Sequence, residues 1–138
     1  PEEGRVMMAL DTNVIVRFLV RDDEAQSNLV YKRLKKAELE RERLFVPLVV
    51  MLETLWVLES AYNLSRDAIL SAIEGLRQMS ILEIEADQVL ERVAESANGM
   101  DADLSDLLIM HSAAASGCEA VLTFDKKASR LEFFRMLK

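Results

Sequence analysis

Histidine and cysteine are nearly missing from this chain, at one residue each, His111 and Cys118. So few nitrogen and sulfur donors argue against a zinc site, since zinc and copper favour histidine and cysteine. No serine–histidine–acid or cysteine–histidine nucleophile set competes with the reading below. A lone cysteine rules out an intramolecular disulfide and fits a reducing cytoplasm. Glycine and proline are also scarce, at four and two residues, which suits helix-rich packing rather than an all-β sandwich. No glycine-rich phosphate loop occurs, and no linker divides the chain. The apolar runs are far too short to span a bilayer. No charged leader with a cleavage site precedes Val6, so a cytoplasmic protein with no membrane partner is expected. Residues 1–5 read as a disordered or foreign lead, since Met7 or Met8 can serve as a start.

Basic residues are outnumbered, 17 against 24 acidic, for a net charge of −7. A general nucleic-acid coat protein needs the opposite balance. An enzyme that grips phosphate through bound cations and a local basic patch does not. At 138 residues the expectation is one domain, residues 1–138, with a real core.

The patterning alternates strands and helices. A short apolar run over residues 6–11 reads as a buried strand. Asp23, with Gln26 three residues later, marks a helix start; that helix runs to about residue 41 with Leu29, Val30, Leu34 and Ala37 facing inward. Residues 44–47 read as a second strand and 48–62 as a helix. Ser65 caps a helix with Ala68, Ile69, Ala72, Ile73 and Leu76 at amphipathic spacing. Residues 81–84 read as a third strand, and Val89 to Ala97 as another helical stripe. A helix over 103–116 stops at Gly117, before a strand at 120–123. A helical turn at 127–131 and a last strand at 133–136 complete the reading. This alternation predicts an α/β fold of three layers, α/β/α, around a central parallel sheet of four to five strands.

Four acids stand out within the apolar segments. Asp11 ends the run Val6-Met7-Met8-Ala9-Leu10, and Glu53 interrupts a run from Leu44 to Leu58. Asp106 precedes Leu107-Leu108-Ile109-Met110, and Asp125 follows Val121-Leu122 closely. Carboxylates beside so much apolar surface are costly without a cationic partner. In a parallel sheet the carboxyl ends of the strands form the functional crevice, and all four acids are expected there. Oxygen donors of this kind select Mg²⁺ or Mn²⁺. Such ions serve phosphodiester hydrolysis, singly or as a pair about 4 Å apart.

The segment Ala9-Leu10-Asp11-Thr12-Asn13-Val14-Ile15-Val16-Arg17-Phe18-Leu19 resembles the opening motif of PIN-domain nucleases, and within them VapC-type toxins of bacterial toxin–antitoxin pairs. Leu52-Glu53-Thr54-Leu55-Trp56, Asp103-Leu104-Ser105-Asp106-Leu107 and Leu122-Thr123-Phe124-Asp125-Lys126 follow in the family's order, so the resemblance spans nearly the whole chain. It implies a metal-dependent endoribonuclease with Asp11, Glu53, Asp106 and Asp125 as catalytic and metal-holding acids. Asp103 would be a supporting or alternate ligand, one helical turn before Asp106. Thr12, Asn13 and Thr123 would orient the acids or a water. The implied cofactor is Mg²⁺, with Mn²⁺ as substitute. The implied partners are RNA, a cognate antitoxin and a second copy of the chain. Where relatives carry a Leu-Pro-Gly turn before the last strand, this chain has Leu131-Glu132-Phe133.

Each acid also has an ordinary role open to it. Asp11 and Asp125 can cap, Asp106 suits a helix's first turn, and Arg17 can neutralise Glu53. Arg17, Lys126 and Lys127 are the candidates for holding RNA phosphates. His111, on the apolar stripe of Leu107 and Leu108, reads as a hydrogen-bonded core histidine. Trp56 and the methionines at 51, 79 and 110 read as core filler or dimer surface. The alternative to an enzyme is a non-catalytic PIN-like module that works through partner or RNA recognition, and a third reading makes every acid a cap or ion pair.

Overall fold

The computed structural model describes residues 6–138; the expected lead over residues 1–5 lies outside the described residues. The chain gathers into two compact units, the first ending at Glu85 and the second spanning Ala86–Lys138.

The first unit contains β1 (Met8–Ala9), α1 (Thr12–Leu19), α2 (Glu24–Glu40), β2 (Leu44–Val46), α3 (Leu48–Ser60), α4 (Arg66–Arg77) and β3 (Leu82–Ile84). Its sheet is parallel in the order β1-β2-β3, with Met8 opposite Leu44 and Leu44 opposite Leu82. Parallel neighbours need long crossovers, which α1 and α2 supply between β1 and β2, and α3 and α4 between β2 and β3.

Local chemistry explains the helix boundaries. Asp23 Oδ1 accepts from Gln26 N at 3.0 Å and starts α2. Its core stripe is Ser27, Val30, Leu34 and Ala37. Leu29, expected inward, is 67% exposed, because Ser27 and Val30 already occupy the inner edge of that turn. Arg41 ends the helix in the left-handed region at φ 55°. Pro47 precedes α3, where its missing N–H has no intrahelical acceptor to lose, and Glu85 Oε1 accepts from Leu48 N at 2.7 Å. Ser65 caps α4, its Oγ accepting from Ala68 N.

The second unit contains α5 (Asp87–Ala97), α6 (Leu104–Ala115), β4 (Val121–Thr123), a 3-10 turn (Ala128–Arg130) and β5 (Phe134–Met136). Helices α5 and α6 pack together, burying Val89, Leu90, Val93 and Ala97 from one and Leu104, Leu107, Leu108 and Met110 from the other. Gly117, at φ 88°, takes a backbone conformation that other residues adopt only with strain and turns the chain out of α6. β4 and β5 pair in parallel, with Val121 opposite Phe134. The segment that lacks the Leu-Pro-Gly turn still delivers that last strand: Leu131 N donates to Ala128 O and Phe134 N to Leu131 O, both at 3.0 Å.

Beyond Leu29, two expectations are corrected. The α/β class and the parallel pairing hold, but the five strands form a three-stranded and a two-stranded sheet, not one central sheet of four to five. Strands of two or three residues offer few ladder groups, so alternation alone does not specify which strands pair. The segment at 6–11 is also not a buried strand: Met8 is 54% exposed and Ala9 is exposed, and burial begins at Leu10. Among the described residues β1 pairs only with β2. No helix among them is long and apolar enough to cross a membrane.

Candidate functional site

Five of the sequence-selected acids fall into two groups, one in each unit. In the first, Asp11 is the N-cap of α1 and its Oδ1 accepts from Thr12 N at 2.8 Å. Thr12, buried at the helix start, donates its Oγ1 proton to Glu53 Oε1 at 2.6 Å. A single threonine thus touches both carboxylates, one through its backbone and one through its hydroxyl. Among the described residues no hydrogen bond reaches Asp11 Oδ2 or Glu53 Oε2, so one oxygen of each acid stays open to a ligand. Asn13 is exposed on the same first turn.

Glu53 does not sit in the apolar surroundings its sequence neighbours suggest. It is exposed, on the outer face of α3 with Val49, Trp56 and Ser60; spacings of four, three and four residues place those side chains on one stripe. Val50, Met51, Thr54, Leu55 and Leu58 form the buried face. Trp56 is 65% exposed, and so is not core filler, whereas Met51 and Met110 are buried.

Arg17 is not the partner of Glu53. Its Nε donates to Gln26 Oε1 at 2.7 Å, and its Nη1 donates to Tyr62 Oη at 3.1 Å and Asp22 Oδ1 at 3.3 Å. Tyr62 Oη in turn donates to Asp22 Oδ2 at 2.8 Å. The Gln26 side chain that a capping box would fold back onto α2 is spent on this arginine. Tyr62 and Asp22 were not singled out from the sequence, since 45 residues separate Arg17 from Tyr62 and no local pattern links them.

In the second unit Asp103, Asp106 and Asp125 share one electrostatic neighbourhood. Burial first, then the charges of Asp103 and Asp125, hold the Asp106 carboxyl above its ordinary value, with Lys127 opposing. Asp103 is the N-cap of α6, yet its side chain makes no capping bond. Its Oδ1 instead accepts from Lys127 Nζ at 3.0 Å, and that contact raises the Lys127 ammonium. An N-cap aspartate turned away from the helix gives up a stabilising contact, which suits a ligand better than a cap. Asp125 does partly play its ordinary role: Oδ1 accepts from Lys127 N at 2.8 Å and from Ala128 N at 3.3 Å. Thr123 Oγ1 accepts from Asp125 N at 3.0 Å and fixes that turn. Lys126 is exposed beside it.

His111 matches its sequence reading. Its Nε2 lies 2.9 Å from Ser96 Oγ, and burial, followed by Arg92, lowers its pKa.

The donor chemistry fits a hard divalent ion: every candidate ligand is an oxygen, and Asp106 carries like-charge repulsion that a cation relieves. Among the described residues, no group of three or more His, Cys, Asp or Glu side chains forms a ready cage. Mg²⁺ does not need one, since it binds one or two carboxylates and keeps waters or substrate phosphate for the rest.

The raised Asp106 carboxyl has a measurable consequence. Between 3.8, its unperturbed value, and its higher folded value, the folded state binds more protons than the unfolded one. Its stabilising protonation is therefore complete below 3.8 and lost as pH rises through the folded value. In chelator-treated protein, the urea midpoint of wild type relative to Asp106→Asn should fall across that window. Added Mn²⁺ should flatten the dependence above it. A difference independent of pH would contradict the assignment.

A sequence model of the PIN domain matches residues 8–134. The chain is also similar to a VapC ribonuclease from Aquifex aeolicus (strain VF5), at 24% identity over 127 residues, covering 92% of this chain and 93% of the relative.

Proposed function

Because the chain belongs to the PIN-domain family, we propose that it is a metal-dependent endoribonuclease, the toxin of a toxin–antitoxin pair, with Mg²⁺ as its ion. The observation that carries this reading is the second unit's acidic group: Asp106, raised from its ordinary value by burial and then by the charges of Asp103 and Asp125, lies one helical turn after an N-cap aspartate that does not cap. Similarity to a VapC ribonuclease supports RNA as the substrate.

Asp11 and Glu53 in the first unit and Asp106 and Asp125 in the second are the proposed catalytic and metal-holding carboxylates, with Asp103 as support. What a divalent ion supplies to this reaction is polarisation of the phosphoryl group and a lowered pKa for the attacking water. The chain's own residues do the rest. Thr12 fixes Glu53 by its hydroxyl and abuts Asp11, and Thr123 sets the turn that aims Asp125. Asn13 can hold a water from the first turn of α1. Lys126 and Lys127 would meet backbone phosphate, and Asp103, now bonded to Lys127, would be a supporting ligand. Arg17 is already committed to Asp22, Gln26 and Tyr62, which leaves the two lysines as the better phosphate contacts. Residues 1–138 act as one PIN domain, paired with a second copy and silenced by a cognate antitoxin that covers the acids.

The decisive experiment sequences RNA ends after exposure to purified protein with and without Mg²⁺. New ends at discrete sites should form only with the ion. A binding module would instead retain RNA or Mn²⁺ and generate no new ends from any RNA pool, and that result would replace the nuclease reading.

A further inference from the structure

The two acids of the first unit are carried by different helices, α1 and α3, so their spacing is only as well defined as the pose of α1. That helix has eight residues, too few to be stable or to hold a direction unaided. Ile15 and Val16 bury its inner face, but apolar packing is non-directional. At its first residue, Thr12 is tied to Glu53 on α3. One tie fixes a distance and leaves a pivot.

The second tie lies five residues on, about 7.5 Å along the helix axis. There the Arg17 guanidinium reaches Tyr62 just beyond the end of α3, and both side chains converge on Asp22. Arg17 is itself held from behind, since the buried Ser27 hydroxyl donates to its carbonyl at 3.0 Å. Two ties at opposite ends of α1, both to α3 or its continuation, fix tilt as well as distance.

We infer that Arg17, Tyr62 and Asp22 form a clasp that positions Asp11 against Glu53 and so sets the affinity of the site for its divalent ion. The inference rests on the metal-dependent reading above. Tyr62 and Arg17 are positioning residues: neither touches the acids, and both act through α1. Groups that orient ligands typically change metal affinity by about 10- to 100-fold when removed.

Tyr62→Phe keeps the ring and deletes only the hydroxyl. Titrated with Mn²⁺ by calorimetry, it should bind about tenfold more weakly than wild type, with Tm shifted by no more than about 2 °C. RNA cleavage should recover as Mn²⁺ is raised. Arg17→Lys, which keeps the charge but loses the planar fork, should move Mn²⁺ affinity in the same direction. Ser65→Ala removes the cap of α4 and is the stability control, lowering Tm with Mn²⁺ affinity unchanged. Wild-type Mn²⁺ affinity in Tyr62→Phe would overturn the clasp and leave the nuclease reading standing. An equal loss in Ser65→Ala would overturn it too, by showing a general effect of stability. Failure of wild type itself to bind Mn²⁺ would sink the metal-dependent reading and the clasp with it.

Discussion

Asp106→Asn should lose RNA cleavage by more than about 100-fold while remaining folded. That figure is the upper end for residues that merely orient a metal ligand, and a carboxylate that holds the ion directly should exceed it. Asparagine keeps the size and one oxygen but cannot carry the charge. The accompanying expectation separates this role from a structural one. In metal-free protein, burial and then the charges of Asp103 and Asp125 oppose ionisation of Asp106. Removing its charge should leave the thermal midpoint unchanged or higher, and added Mn²⁺ should stabilise the variant less than wild type, because a ligand that binds only the folded state stabilises in proportion to its affinity. A first-turn acid kept only for the helix dipole gives the opposite pattern, a small loss of stability with cleavage intact. Measuring cleavage and Tm on one preparation decides between them, once contaminating nuclease has been excluded with a mock purification.

The contrast shows what could be read from the sequence and what could not. Helix starts were legible where a side chain both caps and is short, as at Asp23 and Ser65, because the capping bond is local. The last strand was legible despite its unusual turn. Glu53 was misjudged for a physical reason. Helix α3 is apolar nearly all round, so its periodicity does not mark a polar face, and only the fold reveals that Val49, Glu53 and Trp56 share the outer one. The acid is therefore not a costly buried charge; what distinguishes it is its bond to Thr12, 41 residues away. The division into two sheets was hidden because two- and three-residue strands carry too little pattern to declare their neighbours. The family resemblance and the spacing from Asp106 give Asp103 only a supporting place, whereas its avoidance of the capping role and its contact with Lys127 are tertiary facts. So are Tyr62 and Asp22, which no motif contains.

Leu107→Ala, one residue from Asp106, should have the reverse signature. Leu107 is fully buried, at 0% exposure, on the face of α6 in a unit where α5 and α6 pack together. Truncating a buried leucine to alanine removes transfer free energy and leaves a cavity, at a cost of about 2–5 kcal/mol. A domain of this size has only about 5–15 kcal/mol in total. Urea unfolding should therefore show a midpoint lowered by a large fraction of its wild-type value, with the slope retained if the transition stays two-state. The carboxylate next door keeps its chemistry, so below the new unfolding transition cleavage per folded molecule, with saturating Mn²⁺, should stay within a few-fold of wild type. Adjacent residues on one helix would then carry separable duties, since consecutive side chains on a helix point about 100° apart. If Leu107→Ala instead unfolded at the wild-type urea concentration, the second unit would not depend on the α5–α6 core for its stability. The placement of Asp103 and Asp106 at the start of α6 would then need another support.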